Sequence, residues 1–374
     1  MQMTREAAQT KAAFEQAAEL IRTYGSNTLA FFGLSPENRH FLTADGRGLV
    51  NYRLMGNVAV APGDPVCAPE MREEVTRSFL NFCAHHRWRV AFYQASPGYL
   101  PVYRAFQMRV FKIGEEAMID PQTFTLAGSA MANVRTSCRR AEREGVRIAW
   151  YEGVPPVAVM QQLEDISSAW LAHKQQSAET GFTMGKLEEL IETAQRAEAV
   201  TTAGPRYVTG VALTNTGKAC AFVTFTPLYA AKFGEENGEQ GAGWGCTLDL
   251  MRRVPNAPPC VMELLLVSAL ERFRSQGASV LSLGMVALSD TDQEMTSAER
   301  RLISFVLNRL HLLENRSSLF RFKQKFHPCW ESRYLVTGSA LDLPKIALAV
   351  FRLRNYASSG LMKLFAKVIG NSDV

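Results

Sequence analysis

Apolar positions along the chain follow two periods, and the changes from one to the other outline the elements. Short runs with strand character occur at residues 58–61 (VAVA), 89–94 (RVAFYQ), 109–113 (RVFKI), 147–151, 206–213, 219–225, 280–283 and 333–336. They are rich in β-branched and aromatic residues and end at turn residues, as buried or half-buried strands do. Apolar residues three and four apart mark helices at 5–24, 70–85, 100–106, 130–144, 157–173, 187–197, 261–275 and 299–313. Residues 30–65 alternate brief apolar runs with turns such as Ala44-Asp45-Gly46-Arg47-Gly48, which predicts hairpin strands. Thr214-Asn215-Thr216-Gly217 predicts another hairpin, between 206–213 and 219–225.

The stretch 246–285 (CTLDLMRRVPNAPPCVMELLLVSALERFRSQGASVLSLGM) organises the rest. A strand ends in Asp249, Arg252 and Arg253, a Pro/Asn loop spans 254–259, and a long apolar helix runs to Gly277. A second strand then leads into Gly284-Met285. Strand, charged loop, helix, strand is a βαβ-type unit, and such units place ligands at the carboxyl ends of their strands.

Composition changes the picture in three respects. At 374 residues the chain exceeds what one core usually serves, so two domains are expected. Seven cysteines, at 67, 83, 138, 220, 246, 260 and 329, are odd in number and form no CxxC, which fits a reducing compartment and excludes a disulfide framework or zinc ribbon. The six histidines lack ligand spacing, so neither a metal nor a cofactor is expected. The first 24 residues read as an Ala-rich polar helix without the apolar core of a signal peptide, and no run reaches the ~18 apolar residues of a membrane span. The net charge of +5 permits an anionic partner without demanding one. Gly241-Ala242-Gly243-Trp244-Gly245 lacks the GK[ST] and the immediate helix of a phosphate loop and is discounted.

Two charged helices carry alternative readings. Arg135, Arg139 and Arg143 recur every four residues, each offset by about 40° from the last. They form either a solvated face paired with Glu142 and Glu144 or a rail for a polyanion such as tRNA. In the tail, Ile346, Val350, Leu353, Ala357, Leu361, Leu364 and Val368 share one stripe, flanked by Lys345, Arg352, Lys363 and Lys367. That helix either docks on the core or seats residues 344–369 on anionic lipid.

Both halves carry an antiparallel strand group followed by helix, strand, helix, strand. This arrangement resembles the acyltransferase fold of the GNAT superfamily. The expected fold class is α+β: two GNAT-like domains in tandem, at 1–127 and 128–340, each a mixed, mostly antiparallel sheet flanked by helices. An amphipathic tail helix is expected at 341–374. In that superfamily a Gly-rich loop binds the pyrophosphate of acyl-CoA through backbone N–H groups. The matching loop here, 252–259, has no glycine, and its three prolines remove three donors, an argument against CoA.

Specific motifs narrow the family. GEEA (114–117), RRAEREG (139–145), GFTMG (181–185), LDLMRR (248–253), the NAP…VMELL segment, LSLGMVALS (281–289) and FRFKQKFHPCWESRYLV (320–336) occur in order. In these the chain resembles the catalytic domain of the bacterial multiple peptide resistance factor family, the aminoacyl-phosphatidylglycerol synthases. The resemblance implies transfer of an amino acid, lysine or alanine, from aminoacyl-tRNA to a hydroxyl of phosphatidylglycerol, lowering the negative charge of the membrane. It also implies a cytoplasmic enzyme, peripheral at the inner face of the cell membrane. The family's usual N-terminal multi-helix membrane domain has no counterpart here, so an excised domain or a stand-alone relative is expected.

An aminoacyl ester is already activated, so the enzyme must position, deprotonate and stabilise. By resemblance Asp249 and Arg252 are the catalytic pair, with Asp249 holding the α-ammonium or assisting the hydroxyl and Arg252 forking onto the lipid phosphate. A structural ion pair is the competing account of the two. Arg253, Glu263, Ser289, Lys323 and Lys325 are the expected substrate-binding residues. Glu263 has a second explanation, since a carboxylate in a first turn offsets the helix dipole. Lys323 and Lys325 share a face on a strand but not on a helix. Transfer to a non-lipid acceptor, or a non-catalytic module that binds tRNA or membrane, are the alternative functions.

Overall fold

Val58–Pro62 and Ala219–Leu228 bury every residue, so the sheet holding them needs cover on both faces. The computed structural model of the chain describes residues 2–173, 186–200, 204–230, 243–287 and 316–356. Its strands are β1 (Arg39–Leu42), β2 (Gly48–Met55), β3 (Val58–Pro62), β4 (Val66–Cys67), β5 (Arg89–Ala95) and β6 (Arg109–Ile119). They continue with β7 (Arg147–Glu152), β8 (Val208–Leu213), β9 (Ala219–Leu228), β10 (Gly245–Arg253), β11 (Val280–Ala287) and β12 (Cys329–Thr337). The helices are α1 (Gln2–Tyr24), α2 (Arg72–His85), α3 (Leu100–Ala105), α4 (Ala132–Arg143), α5 (Val157–His173), α6 (Leu187–Val200), α7 (Val261–Ser275), α8 (Arg316–Gln324) and α9 (Leu343–Tyr356).

All strands belong to one mixed sheet of order β1-β2-β3-β5-β12-β6-β11-β10-β9-β8-β7, with β4 paired to β2. Two strand pairs are parallel, β3 with β5 and β10 with β11, and each is bridged by a long helix, α2 and α7. The architecture is α+β, as expected. Strand β12, from late in the chain, lies between β5 and β6 and so ties both parts of the chain into one sheet. Several boundaries differ from expectation: β6 runs on past residue 113 through GEEA, β9 continues to Leu228, β11 to Ala287, and β12 begins at Cys329 instead of 333. The expected helix at 299–313, GFTMG and the tail beyond 356 lie outside the described residues.

The two faces of the sheet differ in chemistry. On one, α4 and α7 close an apolar core that includes Val134, Cys138, Leu265, Phe273, Val223, Phe225 and Leu281. Further along the sheet a core of Val75, Phe79, Tyr103, Phe92 and Val336 draws on α2 and α3. On the other face, α1, α5 and α6 cover β8–β10 through Ile21, Leu163, Ile166, Leu190, Phe222 and Leu250. Helix α9 covers the opposite end of that face with Leu343, Ile346, Ala347, Val350 and Leu353, packed on Val60, Tyr93, Ile113 and Leu335. The first half of the tail's apolar stripe is therefore core, which corrects its assignment as a lipid-seating surface at Ile346, Val350 and Leu353.

A buried charged hub joins the strands at the middle of the sheet. Glu116 on β6, 1% exposed, accepts from Arg333 Nε on β12 at 2.5 Å and from Thr28 Oγ1 at 3.0 Å. It also accepts from Ser282 Oγ on β11, while Arg333 pairs a second time with Glu331. Removing one partner of such a pair strands a charge out of water, whereas removing both does not. Arg333→Met is expected to cost about 3–5 kcal/mol by urea denaturation, and Glu116→Gln in the same chain should restore part of that loss. Equal stability of wild type and Arg333→Met would contradict this account.

Candidate active site

The site originates in a local fault shared by two neighbouring strands. Parallel pairing of β10 with β11 covers only Gly245–Thr247 against Val280–Ser282. Directly beyond, β10 shifts register against β9 between Leu248 and Met251, and β11 shifts against β6 between Ser282 and Met285. An extra residue in a strand reverses which face the following side chains meet. Leu248 thus packs into the α4/α7 core, whereas Leu250, two residues on, packs under α5. The β10 bulge is held by the Thr224 hydroxyl, which accepts from Leu250 N at 3.0 Å. The β11 bulge carries Gly284 at φ +82, a left-handed conformation that glycine adopts without strain.

The re-aimed residues include Asp249 and Arg252. Asp249 is half-buried and Arg252 is 5% exposed. The Arg252 guanidinium carbon lies 5.5 Å from the centre of the Trp170 ring on α5, within cation–π range. Both charges act on Tyr207: burial first pushes its phenol up, Asp249 adds to the rise, and Arg252 opposes it. Arg252 and Trp170 thus meet under α5, with Tyr207 within the field of both Asp249 and Arg252. Tyr207 and Trp170 escaped the sequence reading.

Around these residues the sheet face is lined with hydroxyls. Thr209 pairs across to Thr224, and Thr226, Thr247 and Ser282 lie side by side on three neighbouring strands. Thr209, Thr224, Thr226 and Ser282 are fully buried. The buried Thr247 hydroxyl has no hydrogen-bond partner among the described residues. The row was partly legible in the sequence as threonines two apart, at 224 and 226, in an otherwise apolar strand.

Lys323 enters where β10 and β11 part. Its Nζ donates to Gly284 O at 2.8 Å and to Met285 O at 3.3 Å. A side chain on Gly284 would place its first carbon 3.6 Å from both Lys323 Nζ and the Leu248 carbonyl, so the amine reaches into the gap between the strands. Burial lowers the Lys323 amine to about 7, with Glu116 opposing that shift. Desolvation of this kind is how a lysine becomes neutral near physiological pH.

The remaining expected residues fall elsewhere. Lys325 pairs with Glu263 at 2.8 Å, so Glu263 has a specific partner besides the helix dipole, and Lys323 and Lys325 point to different places. Arg253, adjacent to Arg252 on a strand, is exposed and faces away from it. Arg135 donates to the carbonyls of Leu126 and Gly128 and lines a groove of about 430 Å³ with Glu271 and Arg274, so its guanidinium belongs to the loop rather than to an open rail. Arg139 and Arg143 are exposed on α4. Ser289 lies outside the described residues.

The loop before α7 uses its own donors. Val254 N bonds to Cys220 O at 3.0 Å and Ala257 N to Val254 O at 3.1 Å, which leaves fewer N–H groups for a pyrophosphate. Among the described residues no group of three or more His, Cys, Asp or Glu could hold a metal ion, and no helix is long and apolar enough to cross a membrane.

Known proteins resemble the chain in sequence and in fold. The family model "Phosphatidylglycerol lysyltransferase, C-terminal" matches residues 18–337. A phosphatidylglycerol lysyltransferase of Bacillus subtilis is 28% identical over 346 residues, 92% of this chain and 37% of the relative, so the chain spans little over a third of that protein's length. The solved structure of L-PGS from Bacillus licheniformis superposes with a TM-score of 0.76 at 26% identity, covering 92% of this chain and 97% of that one. A C-terminal DUF2156 domain from Agrobacterium fabrum gives 0.72 at 25% identity, covering 91% and 96%. With the model matching most of its length, the chain belongs to the phosphatidylglycerol lysyltransferase C-terminal family.

Proposed function

We propose that the chain is an aminoacyltransferase, moving an amino acid, lysine or alanine, from aminoacyl-tRNA to a hydroxyl of phosphatidylglycerol. The observation that carries this reading is the β10 bulge that turns Arg252 onto Trp170, beside the gap between β10 and β11 that Lys323 enters. The names of the relatives support the lipid acceptor. We read residues 1–127 and 128–340 as two GNAT-like halves, a division supported by the repeated parallel pair bridged by a helix.

In this mechanism Asp249 binds the α-ammonium of the aminoacyl group, and Arg252 binds the phosphate of the acceptor. A neutral Lys323 amine has two N–H groups, which its two carbonyl partners accept, and one lone pair left to take a proton. The acceptor hydroxyl loses its proton to that lone pair as its oxygen bonds to the ester carbonyl carbon. The carbon–oxygen bond to the tRNA ribose then breaks, and the Lys323 ammonium returns the proton to the departing ribose oxygen. No water is consumed, and one ester replaces another. Arg139 and Arg143 on α4 contact the tRNA backbone.

Three measurements test this reading. With labelled charged tRNA and phosphatidylglycerol, Asp249→Asn and Arg252→Lys are each expected to slow label transfer to lipid by about 100-fold while leaving the urea midpoint unchanged. Unimpaired transfer in both removes the pair from the mechanism, and label released only to non-lipid acceptors would redirect the function to them. The transfer rate should rise with pH through about 7 as Lys323 loses its proton and level off above, and Lys323→Met should be slow with no such limb. Arg139→Glu with Arg143→Glu should raise KM for charged tRNA, flatten its salt dependence and leave kcat near wild type.

A further inference from the structure

With one stripe of α9 buried in the core, its opposite stripe faces outward. Leu341, Lys345, Leu348 and Arg352 follow at intervals of four, three and four residues, which aligns them on one side of the helix and of the turn before it. Leu341 is 89% exposed and Leu348 43%, two of the four large apolar side chains described as exposed. Lys345 and Arg352 are exposed between and beyond them. Helix α9 contains no acidic residue, and Asp342 just before it is held by Arg89 at 2.6 Å. The stripe therefore presents leucines alternating with cations that have no acidic neighbour on their own helix.

We propose that this outer stripe, Leu341–Lys345–Leu348–Arg352, is the surface that seats the protein on an anionic bilayer. The cations match a plane of phosphates, and the leucines reach past it toward the acyl chains, the division of labour of an interfacial helix. Its placement fits the proposed chemistry, on which this inference rests for its purpose. On β12, Leu335 packs under α9 and Arg333, two residues away and hence on the same face, holds Glu116. Helix α9 runs over β3 in the direction of the parallel β5, with Asp342 before it paired to Arg89 and Arg354 near its end acting on Tyr93. Its far end thus approaches the central hub on the sheet face that also carries Thr247 and Ser282. A bilayer on the outer stripe brings headgroups alongside that face.

Sedimentation of the full chain with vesicles tests the seat. Wild type should bind vesicles of equimolar phosphatidylglycerol and phosphatidylcholine and leave pure phosphatidylcholine vesicles unbound. Lys345→Glu with Arg352→Glu, and separately Leu341→Ser with Leu348→Ser, should each weaken that binding about tenfold or more. Both should retain transfer to a short-chain, water-soluble phosphatidylglycerol, which also shows that they fold. Wild-type affinity in both double variants, equal binding to the two vesicle types, or binding to neither overturns the proposal. Failure of wild type to transfer to the soluble acceptor, with vesicle binding still following the stripe, would instead overturn the proposed function and leave the seat standing.

Discussion

Glu116 is the constraint on which the rest of the molecule depends. A carboxylate in the middle of a twelve-stranded sheet is tolerable only if charge and hydrogen bonds reach it, and here they come from three separate segments. Arg333 lies 217 residues further along the chain, so the hub cannot form until β12 has inserted between β5 and β6. Thr28 brings the segment after α1 to the same point, and Ser282 fixes β11 one step before its bulge, where its hydroxyl also accepts from Gly284 N at 2.9 Å. Assembly of the sheet and shaping of the site are thus one event. The same carboxylate opposes the loss of charge at Lys323, so the hub tunes the amine that it helps to place.

The sheet divides its labour between faces. The α4/α7 face is dry and apolar, with Leu265, Leu266, Leu270 and Phe273 of α7 all fully buried. The opposite face trades part of that packing for Thr209, Thr224, Thr226, Thr247 and Ser282. Hydroxyls cost little to bury when they bond locally, as Thr224 does to Leu250 N, and more when they do not, as at Thr247. A fold selected only for stability would fill such positions with valine. Their concentration around Asp249 and Arg252 agrees with a face that meets a polar substrate.

Much of this was readable in advance, for physical reasons that also set the limit. Helix 261–275 begins and ends where expected, because an apolar stripe bounded by proline and glycine is a local signal. The βαβ reading of 246–285 also held, down to the charged end of its first strand. What the sequence could not display is contact between distant segments. The strand at 109–113 was expected to stop short of Glu115 and Glu116, because carboxylates seldom lie inside one, and the partners of Glu116, Arg333 above all, explain why β6 runs on through them. Tyr207 and Trp170 join the site through the bulge in β10, which changes the face on which Leu250 and Arg252 emerge. The tail shows another limit: its apolar stripe was visible, but periodicity left open whether core or lipid receives it, and over α9 the core does.

The two parallel strand pairs explain why chemistry falls to the second. Pairing of β3 with β5 continues to Pro62 and Tyr93, and Gly63 N then bonds to Tyr93 O at 2.8 Å. Asp64 staples the ends further, accepting from Ser96 N at 3.0 Å, Asn27 Nδ2 at 2.9 Å and Tyr103 Oη at 2.9 Å. Burial pushes its carboxyl up while these donors oppose the rise. A mouth closed by three hydrogen bonds to one side chain has no room for a reacting group. Strands β10 and β11 part instead: their pairing ends at Thr247 and Ser282, and the space that Asp64 closes in the first pair is entered in the second by Lys323. The same supersecondary unit is thus a structural joint where its ends are bonded shut and a reaction site where adjacent bulges force them apart.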